Sequence, residues 1–438
     1  MKKKKIILFH PATQHEKFYS FFWIPYSVLT IGSCLSEDYT VIIIDENIDK
    51  NYSLTDEILQ NVLCVGISSM IGAQIKNGLL FAQKVKNINS KIPIIWGGHL
   101  PSILPNITLE SEYVDLIVLG QGEYTIIEII KSLSKKIELK TISGIGYKLP
   151  DGKIKINPKN NSERFELPYF QWQLIDIDKY IRKDNNLGNR ILNYVSSLGC
   201  PFPCTFCAEK PMYGDKCYQY NLTRIYSDID FLISHGQLDA IKFYDANFFA
   251  YPKNAFKIIE YIKSNHSNIN WAASGHPKTL NSFNFTHWKF LEESNCKRLL
   301  IGAESGSKAS LNIIKKQITP QDTIQLAQKC SSFNIIGSFT FIIGFPGCNF
   351  QEELVNTLAL GEDIRRIDSR HEVKIHFYAP YPGTYLYNEA KSYGFIEPRS
   401  LEEWSDYDYY NIETPWIDKK FEKEVHNFNN NNCKYVHL

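Results

Sequence analysis

Short, uninterrupted apolar runs recur along this chain at intervals of helical length, and that rhythm restricts its fold more than any other feature. In the first third the runs are Ile6–Phe9, Val41–Ile44, Val62–Ile67, Ile92–Trp96 and Leu116–Leu119. Each is rich in Ile and Val and continuous rather than alternating, the pattern of strands buried on both faces of a parallel sheet. Stretches of helical length lie between them, such as Ala73–Lys86 and Tyr124–Leu133. Five strands with crossover helices predict a doubly wound α/β domain, which binds ligands beyond the carboxyl ends of its strands. From about residue 191 the rhythm resumes with Asn193–Ser197, Ala240–Tyr244, Asn270–Ser274, Arg298–Gly302, Ser338–Gly344 and Val373–Tyr378. Helical stretches separate these runs, among them Asn254–Ser264, Pro320–Cys330 and Gln351–Arg366. Six βα units predict a partial (β/α)6 barrel, whose chemistry belongs at the strand carboxyl ends.

Residues 136–190 interrupt the pattern. Ile145–Lys148 and Lys153–Ile156 flank Leu149-Pro150-Asp151-Gly152, a good hairpin turn, and the polar stretch Pro158–Arg164 follows. The tail after Thr384 is rich in Tyr, Asn and Lys and weakly patterned, and Asn429–Asn432 reads as part of a frayed end. Its aromatics Trp404, Tyr407, Tyr409 and Tyr410 are expected to pack on the barrel rather than to close over a cavity. The divisions are 1–137, 138–190 (a linker with a β-hairpin), 191–385 and 386–438.

The composition excludes several classes. Hydrophobic residues at 44% and charged residues at 22% belong to a folded chain, not a disordered one. A net charge of +1 gives no general attraction for nucleic acid or anionic membrane. Ten cysteines in 438 residues are too few for a disulfide scaffold, and three of them are tightly clustered, which points to metal in a reducing compartment. The lysine-rich start, Met1-Lys2-Lys3-Lys4-Lys5, precedes an apolar run that stops at His10-Pro11, too short for a secretory core. Without a stretch long enough to span a bilayer, the expectation is a soluble cytoplasmic protein.

The cluster is Cys200-Pro201-Phe202-Pro203-Cys204-Thr205-Phe206-Cys207, just after the first strand of the second half. Structural iron–sulfur and zinc sites normally use four ligands, so three thiolates leave one iron open for substrate. A zinc site completed by Cys217 is the alternative, although nothing pairs Cys217 in a C-x-x-C unit.

The C-x-x-x-C-x-x-C spacing after a first barrel strand resembles that of the radical S-adenosylmethionine (SAM) enzymes. The resemblance implies that Cys200, Cys204 and Cys207 hold a [4Fe-4S] cluster, whose open iron is chelated by the amine and carboxylate of SAM. One electron then cleaves the sulfonium to a 5′-deoxyadenosyl radical. Phe206 would pack near the adenine. In Phe243-Tyr244-Asp245-Ala246-Asn247, Asp245 and Asn247 are candidates to hold the methionyl amine, with Tyr244 a further SAM-binding candidate; a helix cap or Asx turn is the structural alternative for Asp245 and Asn247. Ser274, which ends the third strand, is a further SAM-binding candidate. Glu304 and Ser305, in Gly302-Ala303-Glu304-Ser305-Gly306, would reach the nucleoside or amino acid, with a buried salt bridge as the alternative for Glu304. Gly344 and Phe345 would make backbone contacts to adenine. The chain carries Cys348-Asn349 where relatives often have an acidic residue.

The whole chain is similar to the cobalamin-binding branch of that family. The pieces that carry this resemblance follow strands of the first half: Ser68, Ser69, Met70 and Gly72; Gly97, Gly98 and His99; Gly120, Gln121, Gly122 and Glu123. Glycines there let backbone approach a corrin closely, although such loops are common in any doubly wound domain. Gln121 stands where relatives often carry Glu. The D-x-H-x-x-G motif that supplies an axial His elsewhere is absent, as is usual in this branch. His10 and His99 sit at strand ends and are expected to make ordinary polar contacts.

The implied architecture is an N-terminal flavodoxin/Rossmann-like cobalamin-binding domain followed by a partial (β/α)6 radical SAM barrel. The implied cofactors are a [4Fe-4S] cluster, SAM and cobalamin. The leading expectation is methylation of an unactivated carbon through methylcobalamin. Ring formation, rearrangement or oxygen insertion without methyl transfer is the alternative within the family, and a non-catalytic cobalamin- or metal-sensing module the alternative outside it. Expected partners are a small-molecule or natural-product substrate and an electron donor such as flavodoxin or ferredoxin, with no nucleic acid.

Overall fold

The structure is a computed structural model that describes residues 3–13, 22–134, 137–159, 167–407 and 414–430. The chain divides into two compact units, Met1–Tyr180 with Glu397–Asn411, and Ile181–Ile396 with Ile412–Leu438.

The first unit is built on strands β1 (Lys5–His10), β2 (Thr40–Asp45), β3 (Val62–Ser68), β4 (Ile94–Gly97), β5 (Leu116–Val118), β6 (Ile145–Lys148) and β7 (Ile154–Ile156). They lie in the order β2-β1-β3-β4-β5-β6-β7. The first five are parallel, as the continuous apolar runs require. The switch point lies between β1 and β3, the flavodoxin-like arrangement. The helix Ala73–Ile88 seals one face: Phe81 stacks on Phe9 with centroids 3.8 Å apart, and a Cβ at Gly78 would come within 2.7 Å of the Trp96 ring.

The hairpin expected in a linker instead extends this sheet. β6 pairs antiparallel with β5, Leu116 opposite Tyr147 and Val118 opposite Ile145. Ile145 and Tyr147 are buried in one cluster with Leu116 and Val118, which gives the hairpin a reason to dock. The tail also departs from expectation. Trp404 is fully buried in the first unit rather than packed on the barrel, and its short helix Leu401–Ser405 lies against Ala73–Ile88. The Gly72 amide donates to the Trp404 carbonyl at 3.2 Å. Tyr407 packs beside Trp404 with centroids 4.9 Å apart; Tyr409 and Tyr410 lie outside the described residues.

The second unit holds β8 (Arg182–Asp184), β9 (Gly188–Tyr194), β12 (Ala240–Phe243), β13 (Asn270–Ser274), β14 (Cys296–Glu304), β15 (Ile336–Ile343) and β16 (Glu372–Phe377), with the short ribbon β10 (Ser197–Gly199) and β11 (Cys217–Gln219). Its main sheet runs β16-β15-β14-β13-β12-β9-β8. Six strands are parallel and β8 is antiparallel to β9, so the sheet stays open as a partial barrel. Helices begin where capping chemistry dictates: Thr319 and Asp322 form a capping box with Pro320 at the first turn. The expected first strand Asn193–Ser197 is broken. β9 ends at Tyr194, and the chain leaves the ladder at Ser196 because its amide and hydroxyl are both taken by Asp245.

Candidate active site

The cysteine loop is held from below by the end of β12. Asp245 is buried and its carboxylate accepts from the Ser196 hydroxyl (2.7 Å), the Ser197 hydroxyl (2.5 Å) and the Ser196 amide (3.2 Å). The Ser274 hydroxyl donates to the Asp245 carbonyl. Asp245 and Ser274 are thus spent on the stem that carries the cysteines. Gly199 ends that stem at φ +77°, where a Cβ would meet the Lys216 carbonyl at 2.5 Å, so only glycine fits.

Cys200, Cys204 and Cys207 are free thiols on this loop. Burial pushes all three up, Cys207 to about 12, while Lys316 pulls Cys200 and Cys204 the other way. Thr205, between the second and third cysteines, donates through its amide to the Ile314 carbonyl (3.1 Å) and through its hydroxyl to that of Ile313 (3.3 Å). Cys217 lies opposite Gly199 on β11, and burial raises it to about 12. Among the described residues no three His, Cys, Asp or Glu side chains converge closely enough for one metal ion. The loop's donor set suits a polynuclear cluster, which spreads its ligands wider, better than a zinc ion closed by Cys217.

Lys316 is a residue the sequence reading missed. Its ammonium is buried and pairs with Glu304 at 2.7 Å. Burial alone would lower it, but Glu304 and then Cys204 more than offset that and raise it. The pair is the structural alternative weighed for Glu304, realised. Glu304 sits at φ +66°, past a register shift in β14, and a Cβ at Gly302 would lie 2.3 Å from its Oε1. No local pattern signals Lys316, twelve positions further on.

Phe206 and Phe345 meet with centroids 5.5 Å apart, and Phe345 also touches Tyr378 at 5.3 Å, so an aromatic wall runs from the cysteine loop to the end of β15. Gly344 is less available than expected. Its amide donates to Glu353 (2.7 Å) and its carbonyl accepts from Trp416 Nε1 (2.8 Å). Ser305 is also engaged, donating to Glu353 at 3.2 Å. Glu353, fully buried and raised by that burial, is a second missed residue; it ties the β14 and β15 loops together. Tyr244, 46% exposed, stands open at the end of β12.

Asn247 behaves differently. Its Oδ1 accepts the His276 amide (3.3 Å), and its amide group faces Cys200 and favours the thiolate. The His276 ring stacks on Phe202 of the cysteine loop with centroids 3.5 Å apart. Its Nδ1 accepts from the Lys278 amide (3.2 Å), which leaves the proton on Nε2; burial, then Lys316 and Lys278, hold the ring neutral, down to about 2. Among the described residues neither Asn247 Nδ2 nor His276 Nε2 has a full hydrogen-bond partner. His276 Nε2, a buried donor without an acceptor beside the thiols, is what a ligand would complete.

In the first unit the loops after β3, β4 and β5 are knitted together. The Ser69 amide donates to Gly97 (2.9 Å), and the Leu100 amide to Ser69 (3.0 Å). Ser102 donates to the Gly98 carbonyl (2.6 Å) and accepts from the Gly120 amide (2.8 Å). A Cβ on Gly98, at φ +94°, would lie 2.9 Å from the Ser69 carbonyl and 3.2 Å from the Ser68 hydroxyl, whereas one on Gly97 would enter open space. Gln74 locks the loop by accepting from the Met70 amide (2.8 Å) and donating to the Pro11 carbonyl (2.9 Å); Met70 itself is exposed. Gly120 has φ +79°, and Gly122 caps the helix Glu123–Leu133 beside Gln121. His99 is held down to about 4 by burial. His10, at the switch point, is kept low by burial, which Asp45 opposes, and its Nδ1 finds no partner among the described residues. Close-packed backbone beneath open space at Gly97 fits a large planar cofactor.

Comparison with known proteins agrees with this division. The radical SAM superfamily model matches residues 194–360 and the B12 binding domain model residues 19–130. An uncharacterised methyltransferase of Pyrococcus horikoshii is 30% identical over 398 residues, 89% of this chain and 84% of that protein. An anaerobic magnesium-protoporphyrin IX monomethyl ester cyclase of Rubrivivax gelatinosus is 21% identical over 72% of this chain and 58% of its own length. The solved radical SAM methyltransferase TsrM of Kitasatospora setae, with cobalamin and a [4Fe-4S] cluster bound, has a TM-score of 0.68 at 16% identity, over 90% of this chain and 76% of its own, and so shares the fold. The chain belongs to the cobalamin-dependent radical S-adenosylmethionine enzymes, and its cofactors are SAM, a [4Fe-4S] cluster and cobalamin.

Proposed function

We propose that this enzyme methylates an unactivated carbon of a small molecule. When bound, the cluster and SAM supply one-electron cleavage of a carbon–sulfur bond, and cobalamin supplies a methyl carrier. Cys200, Cys204 and Cys207 hold the cluster. Asp245 and Ser274 position the loop on which they stand. Asn247 Nδ2 and His276 Nε2 are donors, so they suit the methionyl carboxylate rather than its ammonium. Phe206 and Phe345 wall the adenine side and keep water from the radical, with Tyr244 at the open rim. Ser305 and Gly344 act through Glu353, as organisers of the loops beside that wall. The loops Ser68–Gly72, Gly97–His99 and Gly120–Glu123 carry the cobalamin.

The observation that carries this reading is the loop itself: three free thiols beside one unpartnered buried donor, His276 Nε2, the Asn247 amide and one buried ammonium. The choice of methyl transfer leans on the similarity to the Pyrococcus methyltransferase; the cyclase relative favours radical chemistry without it. The reconstituted holoenzyme, reduced anaerobically with SAM, separates the two. Methyl transfer yields S-adenosylhomocysteine and 5′-deoxyadenosine together and a product heavier by one CH₂. Deoxyadenosine without homocysteine favours the second reading. Absence of both, with an intact cluster and substrate extract present, overturns the proposal. The Cys204→Ala variant, lacking one ligand, should make no deoxyadenosine.

A further inference from the structure

The geometry points to Lys316 as the cation that sets the reduction potential of the cluster, with Glu304 as the counter-charge that partly offsets it. The inference rests on the proposed function, because it needs the cluster on the cysteine loop.

Three independent features place the charge. Lys316 Nζ is buried and lies 2.7 Å from Glu304 Oε1. Its backbone is fixed: the Lys316 amide donates to the Leu311 carbonyl (3.0 Å), and the flanking Lys315 and Gln317 both take left-handed φ, at +53° and +60°. The same segment grips the cysteine loop, since Thr205 bonds to Ile313 and Ile314. Loop and ammonium therefore move as one piece. The ammonium itself sits at the carboxyl end of β14, where a Cβ at Gly302 would lie 3.2 Å from Lys316 Nζ.

The physical consequence follows from charge. Three thiolates already make the site negative, and one-electron reduction by an external donor such as flavodoxin adds another negative charge with no bond made or broken. In a poorly solvated site that charge is costly unless a cation lies near. Net charge around a cluster is one of the levers on its potential. A fixed ammonium makes reduction easier, and the Glu304 carboxylate beside it partly offsets that effect.

The test is an anaerobic redox titration of the reconstituted holoenzyme, following the reduced cluster by electron paramagnetic resonance, with iron and sulfide counted in each sample. Lys316→Gln should shift the midpoint to more negative potential at unchanged iron content, and Lys316→Arg should keep it near wild type. Glu304→Gln should shift it the opposite way, a sign that a merely structural role for the pair does not produce. An unchanged midpoint in Lys316→Gln overturns the inference. If Lys316→Gln does not load a cluster, the sign in Glu304→Gln decides: a positive shift supports the inference and a negative or null shift overturns it. A wild-type protein that forms no [4Fe-4S] signal overturns the proposed function itself, and the inference with it.

Discussion

The Gly344 amide donates to the Glu353 carboxylate at 2.7 Å, joining the turn after the fifth parallel strand of the partial barrel to the first turn of the next helix. The other carboxylate oxygen accepts from Ser305 at 3.2 Å, so one buried side chain braces two strand-end loops. Glu353→Ala leaves a buried amide and hydroxyl without their acceptor. The expected loss is about 2–3 kcal/mol of stability, read as a lower urea midpoint. SAM affinity should fall about tenfold, the equivalent of about 1.4 kcal/mol, while cobalamin retention is unchanged. An equal loss of both ligands would mean that Glu353 supports the fold generally.

Asp245 makes a second claim of this kind. Its carboxylate takes two serine hydroxyls and an amide from the stem before Cys200. Asp245→Ala is expected to reduce iron incorporation, because the first cysteine loses its fixed stem, and to cost about 1–3 kcal/mol for the unpaired buried groups. Asp245→Asn keeps one acceptor and should recover part of the iron. If the carboxylate instead held the methionyl ammonium, iron content would be normal and SAM binding alone would fail. Iron analysis beside SAM titration distinguishes them.

The parallel strands were legible because a strand buried on both faces writes itself as an unbroken aliphatic run, and β1, β3 and β13 coincide closely with Ile6–Phe9, Val62–Ile67 and Asn270–Ser274. The cysteine loop was legible because its chemistry is local. Partnerships across the fold were not. Nothing near Glu304 announces Lys316, and Glu353 looks like any acidic residue in the first turn of a helix, where such residues are favoured on electrostatic grounds alone. The β6–β7 hairpin was recognisable as a hairpin, but the sheet edge that receives it is decided by where Ile145 and Tyr147 find a buried partner. Trp404 joined the first unit for a similar reason, since a weakly patterned tail gives no direction for its large apolar side chains.

Adjacent glycines separate backbone strain from ligand space. Gly98→Ala puts a Cβ 2.9 Å from the Ser69 carbonyl at φ +94°, and is expected to cost about 1–2 kcal/mol of stability. Gly97→Ala meets nothing within 4 Å, so the fold should tolerate it. Its methyl nonetheless enters the space proposed for the corrin, and cobalamin retention through gel filtration should drop. Full retention in a stable Gly97→Ala protein would move the cobalamin away from this loop.

The inner face of the second sheet carries a buried ionic network whose pH response has a definite sign. Arg298 grips Asp184 through two bonds, 2.7 and 3.1 Å, and reaches Glu372 at 3.0 Å. Burial would raise the Asp184 carboxyl, but Arg298 outweighs it and the group ends below its ordinary value. A carboxyl held lower in the folded state than in the unfolded chain contributes stability above the unfolded value of about 3.9, and that contribution is lost as pH falls through the folded one. Arg298→Met leaves two buried carboxylates without their cation, at an expected cost of about 3–5 kcal/mol near neutral pH. In that variant only the Asn186 amide and Lys242 still oppose burial, so the Asp184 carboxyl moves up and acid relieves the penalty by protonating it. Urea midpoints taken from pH 7 down to about 3.5 should therefore converge for wild type and Arg298→Met. Parallel curves would show that Arg298 contributes packing alone, and that its charge is already balanced without Asp184.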